Sequence, residues 1–177
     1  MNYSGTQKER TNILADRDRN WFVAYTAPRA EKKVAQRLEA AGLEYFLPFR
    51  DEMRQWSDRV KRVIVPAFPS YIFVHVNHKE YFKAIGQAGM VKYVHFGGVP
   101  AQLNDSTIEH IRRMLEFNPL LELCNKPLGI GDKYKIPSGP LEGIEGTVLR
   151  LKGKTHFVLE IKEWGKCIML PFVQPLS

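Results

Sequence analysis

Cysteine is almost missing from this 177-residue chain: only Cys124 and Cys167 occur. Two thiols so far apart in sequence build neither a disulfide framework nor a Cys/His metal site, and a reducing cytoplasm is the expected setting. No apolar run approaches the roughly 20 residues that cross a bilayer, so no membrane role is expected. The first ten residues lack the apolar stretch of a secretory signal. The five histidines, His75, His78, His95, His110 and His156, have no metal-ligand spacing, and no cysteine or acidic cluster joins them. A G-x-S-x-G elbow, a phosphate-binding loop and a carboxylate pair are all absent. Neither catalysis nor a cofactor or metal is expected.

What is present is ordinary globular composition with a cationic bias. Charged residues make up 25%, the net charge is +7, and the sequence pI is about 9.4. That balance favours acidic partners, either nucleic acid or an acidic protein surface. Most of the positive excess lies before residue 129.

Tyr71-Ile72-Phe73-Val74-His75-Val76 reads as a strand that is apolar on both faces, with Ile72, Val74 and Val76 on one side and Tyr71, Phe73 and His75 on the other. Pro66 and Pro69 punctuate its entry and leave Phe68 in a turn-like segment. Trp21–Tyr25 is a second such strand. Thr26, Pro28 and Arg29 open a helix through about Ala41 that buries Val34 and Leu38. Arg50–Arg62 carries Arg50, Arg54, Arg59, Lys61 and Arg62 around Trp56 and resembles a hairpin arm. An aromatic among cations could stack on a base while the cations hold phosphates. A mixed-charge solvated hairpin is the alternative. Asn77 or His78 caps a helix from Lys79 to about Gln87. Met90–Phe96 is a strand, and a third helix begins at Asn104, Asp105 or Ser106, with Ser106 to Glu109 fitting a capping box. From Gly129 onward, short strands recur with no helical period, which indicates a small barrel.

These signals give an α+β chain: a tail over 1–19, an α/β domain with a mainly antiparallel sheet flanked by helices over 20–117, a linker over 118–128, and an all-β domain over 129–177.

Gly131-Asp132 followed by Gly139-Pro140-Leu141-Glu142-Gly143-Ile144-Glu145-Gly146-Thr147-Val148 resembles the KOW motif of SH3-like barrels. Trp21–Tyr25, Pro48, Phe68–Val74 and Val94-His95-Phe96-Gly97-Gly98 with Pro100 resemble the N-terminal domain of NusG proteins. The lack of a long insertion and the basic tail look closest to specialised paralogues of the RfaH and UpxY kind, which act on operons such as those for polysaccharide synthesis. The resemblance implies a transcription elongation and antitermination factor that is cytoplasmic and monomeric. It implies binding to RNA polymerase, at the β′ clamp helices and toward the β subunit, through Tyr25, Phe68, Pro69, Tyr71 and Phe73 with Trp21 in support. The basic arm would lie near upstream or non-template DNA, and the KOW domain would take a ribosomal protein or the factor Rho. A ribosome-associated or general RNA-binding KOW protein is the competing reading. RfaH-like proteins can hold their second domain as a helical hairpin, but the β-branched and aromatic content of 147–151 and 155–161 predicts a constitutive barrel here.

Overall fold

The structure is a computed structural model and describes residues 18–118, 121–124, 131–151 and 153–171. The expected tail through residue 17 and linker positions 119–120 and 125–130 lie outside the described residues. In chain order the elements are β1 (Asn20–Thr26), α1 (Glu31–Ala40), β2 (Glu44–Phe46), β3 (Phe49–Gln55), β4 (Val60–Pro66), β5 (Tyr71–Val76), α2 (His78–Ile85), β6 (Met90–Tyr93), β7 (His95–Phe96), β8 (Val99–Pro100), β9 (Gln102–Leu103) and α3 (Asp105–Phe117). Then follow β10 (Glu122–Cys124), β11 (Asp132–Lys135), β12 (Glu145–Leu151), β13 (Lys154–Ile161) and β14 (Lys166–Pro171). The chain forms two compact units: the stretch to Leu47 with Ser70–Leu103, and Pro48–Pro69 with Asn104 onward. The hairpin β3–β4 and helix α3 thus group with the C-terminal strands, whereas the sequence reading divides the chain at 118–128.

The first unit is built on an antiparallel sheet in the order β2-β5-β1-β6, with β9 also paired to β1. Side chains alternate across a strand, so Phe22 and Ala24 of β1 share a face with Ile72, Val74 and Val76 of β5. That face is packed by Val34 and Leu38 of α1 and Ala84 of α2, all fully buried. Each such aliphatic group contributes roughly 1.5–3 kcal/mol on burial. Helix α2 starts at a capping box: the Asn77 side chain accepts from the Glu80 N–H at 3.0 Å, and the Glu80 carboxylate accepts from the Asn77 N–H at 3.1 Å. Arg19 clamps the same carboxylate with two hydrogen bonds of 2.9 and 2.6 Å.

The second unit joins a two-stranded ribbon, β3–β4, to α3 and to a five-stranded antiparallel sheet in the order β10-β14-β13-β12-β11. Residues 147–151 and 155–161 lie in strands β12 and β13. The cap of α3 is Asn104, whose side chain accepts from the Thr107 N–H at 2.7 Å. The capping box expected from Ser106 does not form, because Ser106 lies inside the helix and Asn104 is the extended residue that precedes the first helical turn. The Arg113 guanidinium of α3 donates to the carbonyls of Pro140 at 3.0 Å and Glu142 at 2.8 Å.

Two expectations need correction. The stretch read as linker contains β10, a three-residue strand without a period of its own that exists because β14 offers it an edge. Cys124 and Cys167 are not independent thiols. They face each other in the β10–β14 register, with Cα atoms 5.0 Å apart, and are joined as a disulfide. Their separation of 43 residues in sequence hides an adjacency that only strand pairing creates.

Candidate functional site

The second face of the first unit's sheet carries the aromatic residues. Directly paired residues on antiparallel strands point to the same side, so the register writes this face as rows. One row holds Glu44, His75, Trp21 and Leu103. Trp21 stacks on His75 with ring centroids 4.7 Å apart, and His75 Nδ1 lies 2.7 Å from the Glu44 carboxylate. The next row is Phe46, Phe73 and Val23, with Phe46 stacked on Phe73 at 5.8 Å. The last is Tyr71, Tyr25 and Lys92, with the two tyrosines edge to face at 5.2 Å.

Exposure divides these rows. Trp21 is 5% exposed, and Phe73 and Val23 are fully buried. The expectation that Phe73 presents its ring to a partner is corrected: the folded chain covers it. Tyr71 and Tyr25 are half-buried, and Lys92 is exposed. Burial, with Tyr25 beside it, pushes the Tyr71 hydroxyl above its usual range. The surface this face offers is thus a tyrosine pair ending in a cation. Nothing local to Lys92 marks it as part of this surface, because its neighbour Tyr25 is set by the pairing of β1 with β6.

Tyr71 is held at the β5 entry by a buried acidic side chain. Glu31, in the first turn of α1, is 6% exposed and accepts from the Ser70 N–H at 2.7 Å. Ser70 also accepts from the Thr26 N–H at 2.9 Å and has φ of 65°, a left-handed conformation. Strand β5 therefore starts from a pinned turn.

In the second unit Phe68 is 1% exposed and meets Trp164 edge to face, with ring centroids 5.6 Å apart. Pro69 is exposed. Of these two polymerase candidates, only Pro69 lies on the surface.

The arm is a hairpin, as expected, closed by the Trp56 N–H donating to the Arg59 carbonyl at 2.8 Å. Register separates its cations. Arg50, Arg54 and Lys61 share one face with Glu52, while Arg62 lies on the other with Asp51. Glu52 accepts from Arg54 at 2.7 Å and from Arg50 at 3.4 Å, Arg62 donates to Asp51, and Arg59 lies 4.0 Å from Asp58. The hydrogen bond from Arg54 holds the Glu52 carboxyl below its usual range, and that from Arg62 does the same for Asp51. Phe49, Met53, Val60 and Ile64 occupy the Arg62 face and are all exposed, as is Trp56 at the turn. The arm is therefore two-sided: partly neutralised cations on one side and an apolar strip on the other.

Among the described residues no group of histidine, cysteine, aspartate or glutamate could hold a metal ion, and no helix is long and apolar enough to cross a membrane.

Comparison with known proteins defines the class. The NusG family profile, described as transcription termination factor NusG, matches residues 19–112. The chain belongs to the NusG family of transcription factors. A solved structure titled "Domain interaction in Thermotoga maritima NusG" is 22% identical, with a TM-score of 0.49, over 89% of this chain and 96% of that one. No curated protein matches the sequence.

Proposed function

We propose that the chain is an elongation and antitermination factor that binds RNA polymerase through the Tyr71–Tyr25–Lys92 row. The observation that carries this is the exposure pattern: a sheet face on which Trp21, Val23, Phe73 and Leu103 are buried opens at two half-buried tyrosines beside an exposed lysine. Tyrosine at low rotamer entropy, rimmed by charge, is the composition of an interface anchor. Family membership supports the same reading. In this reading the clamp helices of β′ take the tyrosine row, and β is reached from the same domain. Phe68 and Pro69 contribute as contacts, and Phe73 and Trp21 as the packed support of the sheet that carries the tyrosines. The factor is cytoplasmic and non-enzymatic and serves specialised operons such as those for polysaccharide synthesis. Strands β10 to β14 fold as a KOW-type SH3-like barrel that takes a ribosomal protein or Rho, while Arg50, Arg54 and Lys61 face upstream or non-template DNA.

The test is a titration of purified polymerase with wild type and with the Tyr25→Ala, Tyr71→Ala double variant. Both side chains are half-buried, so circular dichroism melting is run alongside. Loss of two anchors at about 2 kcal/mol each weakens binding by nearly a thousandfold, about 1.4 kcal/mol being tenfold, while the fold is kept. A folded double variant that binds as wild type does would refute the assignment. Phe73→Ala is unsuited to this test, because a fully buried ring reports on stability.

A ribosomal or RNA-binding role would draw on the groove lined by Lys133, Lys135 and Lys162. Two acids stand among these lysines: Glu145, 2.9 Å from Lys135, and Glu160.

A further inference from the structure

Strand β10 is the last described element before the segment that leads to β11, and it follows α3 after a short connection. Its three residues add an edge to β14, and its last residue is the disulfide-bonded Cys124. Cys167, on β14, is fully buried, whereas Cys124 is partly exposed. The side chain of Trp164, two residues before β14, covers Phe68. One covalent clip therefore ties β10 to the strand that begins two residues after Trp164.

We propose that Cys124–Cys167 is a reversible thiol–disulfide site that sets how firmly Trp164 is held over Phe68. A dithiol reductant supplies the two electrons. One of its thiolates attacks Sγ of Cys124, the more accessible sulfur, and Cys167 leaves as a thiolate that takes up a proton. The second thiol of the reductant then displaces Cys124 from the mixed disulfide, leaving two cysteine thiols and an oxidised, cyclic reductant. With the clip closed, β10 is bound to β14 covalently as well as by its pairing. With it open, the three-residue pairing alone holds β10, and β14, which begins two residues after Trp164, loses its covalent edge. The polymerase consequence rests on the reading that Phe68 is a polymerase contact: the reduced protein would expose it more often.

The experiment uses the full chain, oxidised and after dithiothreitol, with the Cys124→Ser, Cys167→Ser double variant as a form that cannot close the clip. Alkylation with iodoacetamide counts free thiols, and hydrogen exchange follows the amides of β10, of 164–168 and of Ala67, whose N–H donates to the Pro48 carbonyl. The expected result is no alkylation before reduction, two sites after it, and faster exchange at all three places. The double variant should match the reduced protein under both conditions. Equal exchange in oxidised and reduced protein, or thiols that stay free under an oxidising disulfide reagent, would overturn the proposal. Polymerase titration forms the separate arm. Tighter binding after reduction supports both the clip and the role of Phe68. Faster exchange with unchanged binding supports the clip and removes Phe68 from the polymerase contact.

Discussion

The carboxylate of Glu31 reaches from the first turn of α1 to the backbone N–H of Ser70, 39 residues along the chain, at 2.7 Å. The acceptor is buried, and the donor belongs to a residue with φ of 65°. This bond holds the residue from which β5, and with it Tyr71, departs.

Glu31→Ala leaves the Ser70 N–H unmet and is expected to cost about 1–3 kcal/mol, read as a lower urea midpoint at unchanged slope. Ser70→Gly should be neutral or mildly stabilising, because glycine adopts the left-handed conformation freely. Ser70→Val should lose about 1–3 kcal/mol. If valine is tolerated as well as glycine, the turn is not the constraint described.

The arm predicts unequal effects of its cations on DNA. Arg54→Ala with Lys61→Ala removes charge from one face, and a DNA-binding arm would lose about two phosphate contacts, reducing the salt slope of binding by roughly 2. Arg62→Ala, on the opposite face and paired with Asp51, should change the slope by less than half of that. Fluorescence anisotropy against salt concentration measures both. Equal effects would mean that the two faces are not distinguished. All three residues are exposed, so thermal stability should stay within about 0.5 kcal/mol.

Glu80 makes one part of stability depend on acid. Burial alone would raise its carboxyl, but the Arg19 hydrogen bonds and the Asn77 N–H outweigh this and hold it below the usual range. A lowered folded-state value means that its contribution is present above the unfolded carboxylate range, near 4.3, and disappears as pH falls through the lowered value. Glu80→Gln should therefore cost about 1 kcal/mol at pH 7, the scale of a lost helix cap, and much less near pH 3. Urea unfolding at the two pH values tests this. A cost independent of pH would assign the effect to shape, not charge.

Local signals in the chain were enough to place most elements. Alternation in Tyr71–Val76 identified the aliphatic core face, the cations around Trp56 marked a hairpin, and the β-branched residues after Gly146 marked strands. The glycines from Gly139 to Gly146 divide between a positive φ and a close approach. Gly139 and Gly143 have φ of 88° and 83° with open space around them, while a Cβ on Gly146 would lie 2.5 Å from the Phe157 ring. Which glycine does which depends on what packs above it.

What the sequence determined by itself was what each short stretch prefers: where strands run, where helices are capped, and which side chains must find cover. The tertiary structure decided which stretches meet. It set Lys92 beside Tyr25, buried Phe73 against Phe46, joined Cys124 to Cys167, and laid Trp164 over Phe68. Each of these depends on strand register or on the packing of residues distant in sequence, and a shift of one residue would turn every side chain of a strand to its other face. No local propensity carries that information, so the covered and the open parts of the aromatic face became distinguishable only in the folded chain.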